Sequence, residues 1–173
     1  MADARLLLPL VLALAACDAG AARAPAAEAE AAPAEAWHSV VVAEGERFAC
    51  TPVKVWDGDG PIHCAEGPKV RLSGIAAREL DGSCSPGHPC PDASGEAARD
   101  ALAGLLGRTT GTGPEGHLLV EGPALDCLSE GSAKGSRTAA RCVSPGAGDL
   151  SCAMMASGTV GRWDRYWRGG GCS

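Results

Sequence analysis

Eight cysteines in the part of the chain after residue 36 constrain its fold more than any other feature of the sequence. They are Cys50, Cys64, Cys84, Cys90, Cys127, Cys142, Cys152 and Cys172. An even count in an exported chain predicts a disulfide framework, but eight cysteines allow 105 pairings and sequence alone does not choose among them. Zinc binding is the alternative. The lack of a C-x2-C pair argues against zinc, and the "CSPGHPC" spacing suits a small closed loop.

Cross-links would compensate for a thin apolar core. The chain has 24 glycines and a single phenylalanine, Phe48. A core built from small side chains buries little apolar surface, so disulfides that restrict the unfolded chain would supply part of the stability.

The N-terminal 16 residues have the pattern of an export signal. Arg5 precedes the apolar run "LLLPLVLALAA", which is too short to span a bilayer. The run ends in "LAAC", which resembles a bacterial lipobox and predicts Cys17 as a lipidated N-terminus in the cell envelope. The alternative is cleavage near "AARA", which would discard Cys17.

Residues 17–36 are predicted to be a tether and residues 37–173 the folded domain. The tether consists mostly of Ala, Glu and Pro, which cannot form a core. The domain holds 13 Lys and Arg against 16 Asp and Glu, a net charge of about −3. This balance gives no general attraction to polyanions, so nucleic-acid binding would need clustered arginines.

The order of strand and helix patterns predicts a small α+β domain. Apolar residues alternate on both sides of "DGDG", which predicts a β-hairpin, and "PKVRLSGIA" continues as a third strand. In "GEAARDALAGLLGR", Ala98, Leu102, Leu105 and Leu106 share one helical face, with Asp92 or Ser94 as the N-cap and Gly107 at the end. About two further strands and a helix capped by Asp149 follow.

The succession of motifs resembles the staphylococcal nuclease (thermonuclease) family over roughly residues 47–167. It consists of D-G-D, R-L-x-G-I, a glutamate, the "SGEAARDALAGLLG" helix, and an arginine before a strand. The resemblance implies a five-stranded OB-fold barrel with two or three flanking helices, and hydrolysis of nucleic-acid phosphodiester bonds with calcium. Carried over by position, Asp59 is the calcium carboxylate, Arg71 and Arg137 are the phosphate-binding arginines, and Glu79 activates water.

The chain departs from the family pattern at the metal. Where the family has R-L-x-G-I-D-x-P-E, this chain has "RLSGIAARE", so Ala76 replaces the second calcium carboxylate and Arg78 replaces the proline. The threonine after D-G-D is Gly60. Because calcium takes six to eight oxygen ligands, the loss of a carboxylate predicts a weak calcium site. Asp57, Asp81 or Glu66 could form a displaced metal site instead, and Arg78 could add positive charge beside Glu79.

Each site residue also has a structural interpretation. Asp59 could serve only as a turn residue, Arg71 could pair with Glu79 as an ion pair, and Glu79 could be a surface carboxylate. Arg137 follows a flexible turn, where an insertion would shift the register. The spacing of Trp163 and Trp167 among arginines allows base stacking, although packing of a terminal helix on the barrel is the favoured interpretation.

The family's hairpin order implies local disulfides. The implied pairs are Cys50 with Cys64, Cys84 with Cys90, Cys127 with Cys142, and Cys152 with Cys172. We therefore expect a monomeric, exported nuclease with nucleic acid as its partner. A catalytically inactive OB-fold module that binds anionic ligands, and a purely structural lipoprotein, are the alternatives.

Overall fold

The computed structural model of the protein describes residues 40–172, so the predicted signal, Cys17 and the tether lie outside the described residues. The strands are β1 (Arg47–Cys50), β2 (Pro52–Val55), β3 (Ile62–Cys64), β4 (Lys69–Leu72), β5 (Ile75–Ala76), β6 (Arg108–Thr112), β7 (Leu118–Glu121), β8 (Leu125–Ala133), β9 (Arg137–Ser144), β10 (Gly148–Asp149) and β11 (Gly161–Arg162). The helices are α1 (Gly95–Leu106), α2 (Leu150–Ala156) and a 3₁₀ turn at Asp164–Tyr166.

One large sheet dominates the described part of the chain. Its strand order is β1-β8-β9-β4-β3-β2-β7-β6, with β10 pairing to β9, while β5 and β11 form a separate pair. β4 and β9 run parallel, and the neighbouring pairs are antiparallel. Thr51 alone separates β1, at one end of this path, from β2, which pairs with β3. The sheet therefore curls towards itself as a partial barrel.

Small buried residues alternate with more exposed residues along the central strands of the sheet. In β4, Val70 and Leu72 are buried while Lys69 and Arg71 face outward. In β9, Thr138, Ala140 and Cys142 are buried between partly exposed neighbours. A strand with this period presents one apolar face, and the curl brings these faces together around one core.

The two helices cover the core and begin as the sequence predicts. The Ser94 hydroxyl accepts a hydrogen bond from the N–H of Ala97 at 3.1 Å, and Asp149 caps α2 through the N–H of Cys152 at 3.0 Å. Ala98, Leu102 and Leu106 are buried on α1. α1 packs tightly against the "DGDG" turn because Gly58 has no side chain: a Cβ there would lie 2.3 Å from that of Ala98.

The four disulfides join the predicted pairs. The bonded cysteines are Cys50–Cys64, Cys84–Cys90, Cys127–Cys142 and Cys152–Cys172. Cys127 and Cys142 are register partners on β8 and β9, and Cys50 and Cys64 link β1 to β3. Such bonds are typical of proteins that fold in an oxidising compartment.

The structure confirms the α+β class but differs from the predicted strand count and tail. In residues 40–172 there are more than five strands, and most are short. Short interruptions such as Thr51 divide them, and β6 and β7 form an additional hairpin after α1. The tail after α2 is not a regular helix. It contains β11, which pairs with β5, and a single 3₁₀ turn.

Candidate functional site

A cleft of about 820 Å³ on the outer face of the sheet collects charged side chains from distant parts of the sequence. Its walls come from the "DGDG" turn, β4, the Cys84–Cys90 loop, the β8–β9 turn and the tail. The lining residues with charged or aromatic side chains are Asp57, Asp59, Arg71, Glu79, His88, Glu130, Lys134, Arg137, Trp163, Tyr166 and Arg168. All four residues predicted from the sequence for the site, Asp59, Arg71, Glu79 and Arg137, are among them.

Arg71 is held firmly at the centre of this group. Its Nη2 donates to Oδ2 of Asp59 at 2.7 Å, and its Nη1 donates to the carbonyls of Leu72 and Ile75 at 3.0 and 3.2 Å. Its Cζ lies 5.4 Å from the ring centre of Trp163. The predicted alternative of an Arg71–Glu79 ion pair is replaced by a pair with Asp59.

The two aspartates of the turn form one hydrogen-bonded unit. Oδ1 of Asp57 accepts from the N–H of Asp59 at 3.1 Å, and Oδ2 of Asp59 also accepts from the N–H of Ala77 at 3.2 Å. Burial, followed by the charge of Asp59, raises the pKa of Asp57 to about 7. Burial also raises the pKa of Asp59, although Arg71 and the Ala77 N–H oppose this.

Glu79 meets the disulfide-closed loop. The Ser85 hydroxyl donates to Oε1 of Glu79 at 3.0 Å, and both residues line the cleft. Glu79 is further positioned by its backbone, since its N–H donates to the carbonyl of Ser83 at 2.9 Å. This carboxylate is therefore part of the cleft wall.

Arg137 begins β9 and lies on the same sheet face as Arg71. Arg71 is the register partner of Ala139 on the parallel strand, and Arg137 lies two residues before Ala139. At about 3.3 Å per residue, the two arginines are offset by about 7 Å along the strands. The Nε of Arg137 donates to the carbonyl of Lys134 at 2.6 Å. The two guanidinium groups thus open onto one cleft, as the motif order predicted.

Arg78, Asp81 and Glu66 do not contribute to the cleft. The guanidinium of Arg78 donates to the carbonyls of Pro91 and Gly82, and so links the two ends of the loop that contains Cys84 and Cys90. Asp81 accepts from the N–H of Ser83, and Glu66 accepts from Thr51. The sequence suggested Asp57, Asp81 and Glu66 for a displaced metal site. Of these three, Asp57 alone lines the cleft with Asp59.

The residues present do not fit a calcium site of the family kind. Ala76 is fully buried and pairs with Gly161, so its position offers a methyl group in place of an oxygen ligand. Oδ2 of Asp59 faces the guanidinium of Arg71 and a backbone N–H. Gly60 has φ +110°, and a Cβ there would lie 2.4 Å from the carbonyl oxygen of Val70, so a threonine would not fit this backbone. Within residues 40–172, no cluster of three or more His, Cys, Asp or Glu side chains is arranged to hold a metal.

The two tryptophans of the tail have different environments. Trp167 packs against the core and over Gly74, whereas Trp163 lines the cleft. The ring centres of His88 and Trp163 lie 4.0 Å apart. The ring of Tyr166 packs edge-on against that of Trp163, with 4.6 Å between their centres. The packing interpretation therefore holds for Trp167 alone.

Sequence reasoning missed His88, Tyr166 and Ser85 as cleft residues. The signal for His88 and Ser85 was their place inside "CSPGHPC", a loop that follows Glu79 closely and is closed by its own disulfide. Nothing in the local pattern around Tyr166 indicated which way the tail would turn.

The fold and cleft define this chain as a disulfide-bonded α+β protein with a mixed-charge cleft on a barrel-like sheet. No protein-family model, curated protein or solved structure matches it. Among the described helices, none has the length and apolar character needed to cross a membrane.

Proposed function

We propose that this protein is an exported phosphodiesterase of the nuclease type. The observation that carries the proposal is that Arg71, Arg137 and Glu79, separated by up to 66 residues in the chain, line one cleft. Two guanidinium groups can bind phosphate and one carboxylate can activate water, which are two tasks of phosphodiester hydrolysis.

The chemistry assigns a role to each residue. Arg71 and Arg137 bind the non-bridging phosphate oxygens and stabilise the extra negative charge of the pentacoordinate state. Glu79 orients the attacking water and accepts its proton. Asp59 acts through Arg71, because their ion pair fixes the direction of that guanidinium. No step in this scheme passes through calcium.

The sheet connectivity supports the relationship to OB-fold nucleases. If β1 and β2 are counted as one strand bent at Thr51, five strands follow the order β1/β2-β3-β4-β9-β8 and return to β1. In this count the parallel pairing of β4 with β9 matches the strand order of an OB-type Greek-key barrel, a fold that commonly binds nucleic acid on its surface. The β6–β7 hairpin is an addition to that barrel.

The proposed location rests on the export signal predicted from the sequence and on the disulfides. We propose a monomer attached to the cell envelope through a lipid on Cys17, with residues 17–36 as the tether. Four disulfides in the described domain agree with an oxidising compartment.

A binding module without catalysis is the second candidate. Two observations favour it. Asp59 pairs with Arg71 and so uses part of the guanidinium that a phosphate would bind. In addition, Ala76 is buried and offers a methyl group where the family pattern has a carboxylate. Such a cleft would bind an anionic polymer through Arg137, Lys134 and Arg168, which also line it.

One assay distinguishes the two candidates. The disulfide-intact protein is incubated with single-stranded DNA, duplex DNA and RNA, in the presence of calcium, of other divalent ions, or of chelator. The variants are Glu79→Gln and, as a matched control, Glu121→Gln, because Glu121 is exposed on β7 and pairs with Arg108.

The nuclease proposal expects cleavage that Glu79→Gln abolishes and Glu121→Gln retains. Binding without cleavage in every condition supports the module. Cleavage that survives Glu79→Gln contradicts the role given to Glu79.

A further inference from the structure

We propose that His88 is the general acid of this site, donating a proton to the sugar oxygen that leaves when the phosphodiester bond breaks. The inference rests on the proposed function and deepens it, because the family resemblance assigns no residue to this step. It follows from the way one short loop presents His88 and Ser85 to the cleft.

One turn of the Cys84–Cys90 loop carries both His88 and the Ser85 hydroxyl that contacts Glu79. The N–H of His88 donates to the carbonyl of Ser85 at 3.0 Å, and Gly87 has φ +78°, which defines a tight turn over Ser85–His88. The first and last Cα atoms of such a turn lie within about 7 Å of each other. Because the Ser85 hydroxyl contacts Glu79, the turn presents a carboxylate partner at one end and an imidazole at the other.

The ring of His88 is held against the phosphate-binding side of the cleft. It lies 4.0 Å from the ring of Trp163, whose centre is 5.4 Å from Cζ of Arg71. Among the described residues that line the cleft, His88 is the one histidine. The disulfide and the Trp163 contact together limit the movement of this imidazole.

An imidazole is chemically suited to this step, whereas the arginines are not. Guanidinium groups do not release a proton in proteins, so Arg71 and Arg137 bind charge without acting as acids. Imidazoles ordinarily exchange protons between about pH 5 and 8. A cationic histidine beside the leaving oxygen can therefore supply the proton that an alkoxide needs.

Every bond and proton in the proposed hydrolysis step is accounted for. The water oxygen forms a bond to phosphorus while Glu79 accepts one proton from that water. The bond from phosphorus to the leaving sugar oxygen breaks, and that oxygen takes the proton of the His88 imidazolium. The products are a phosphomonoester and a hydroxyl group. Glu79 then loses its proton to solvent and His88 regains one.

The test compares two substrates that differ in their need for an acid. Wild type, His88→Gln and His88→Ala are assayed on thymidylyl-thymidine and on thymidine p-nitrophenyl phosphate, whose p-nitrophenolate leaves without protonation. His63→Gln is the matched control, since His63 lies on β3 and does not line the cleft.

The expected result is a loss of about 100-fold or more on the dinucleotide and less than about 5-fold on the p-nitrophenyl ester for both His88 variants. His63→Gln should retain both activities.

Two results would overturn the inference. Equal losses on both substrates would show that His88 only positions the site. Dinucleotide cleavage that both His88 variants retain would remove the imidazole from the reaction. A wild type that cleaves neither substrate would contradict the proposed function itself, which distinguishes that failure from a failure of the His88 assignment.

Discussion

Oδ2 of Asp59 lies 2.7 Å from a guanidinium nitrogen of Arg71, and the two side chains are only 10% and 13% exposed. This pair joins the "DGDG" turn to β4 and brings positive charge to the position where the family resemblance implies a metal. A charge this far from water needs its partner, because each ion alone would carry an uncompensated desolvation cost.

Asp59→Asn should therefore destabilise the fold by about 3 kcal/mol, since it leaves Arg71 without its counter-charge. Urea denaturation of the disulfide-intact protein measures this change. Asp126→Asn is the control, because the Arg47–Asp126 pair is exposed and should contribute about 1 kcal/mol or less. Equal effects of the two substitutions would show that the Asp59–Arg71 pair is not a buried contact.

Arg137→Gln should lower cleavage by about 100-fold while changing the melting temperature little, because the proposed function assigns phosphate binding to this guanidinium at the cleft rim. Arg108→Gln is the matched control, since Arg108 is exposed on β6 and pairs with Glu121. Kinetic assays on single-stranded DNA check the effect. A retained rate in Arg137→Gln would remove this arginine from the site.

Ala76→Asp should produce a calcium response that the wild type lacks. The new buried carboxylate should lower the melting temperature in chelator, and millimolar calcium should recover several degrees, because an ion that binds only the folded state stabilises it. Ala139→Asp adds the same charge to the cleft at a position the family resemblance does not assign. If both variants respond alike, Ala76 does not occupy the family's ligand position.

Asp57 should make the fold less stable as the pH rises. Its pKa is raised to about 7 in the folded protein, from about 3.8, so the folded state binds more protons between these values. The contribution of Asp57 to the free energy of unfolding is complete below about pH 3.8 and is lost as the pH rises through 7. Asp57→Asn should consequently unfold at higher urea concentration than wild type at pH 8, with no such gain at pH 3.5. A gain of equal size at both values would mean that ionisation of Asp57 is not the cause.

His63 should make the fold more stable as the pH rises, opposite to Asp57, over much of the same pH range. Burial, followed by the charges of Lys54 and Lys69, lowers its pKa from 6.5 to about 4. The unfolded chain therefore binds more protons between pH 4 and 6.5, and stability falls as the pH drops through this window. Urea titrations at several pH values should show this fall reduced in His63→Gln. An unchanged pH dependence in that variant would contradict the assignment.

Much of the candidate site could be predicted because the relevant residues sit in motifs with a fixed order. Asp59, Arg71 and Glu79 belong to adjoining segments around one hairpin, and strand alternation places Arg71 outside the core. The four disulfide pairs are those that the family resemblance implied through its hairpin order. The number and bounds of the strands could not be predicted, because the interruption at Thr51 and the β6–β7 hairpin leave no strong local signal.

The sequence by itself determined which side chains face the core and where the helices begin. Period-two alternation and capping are local properties, so they can be predicted from neighbouring residues. Only the tertiary structure decided that Arg71 pairs with Asp59, that Arg78 turns away, and that His88 and Trp163 meet in the cleft. These contacts join segments up to 92 residues apart, and their partners are selected by the curl of the sheet and the course of the tail.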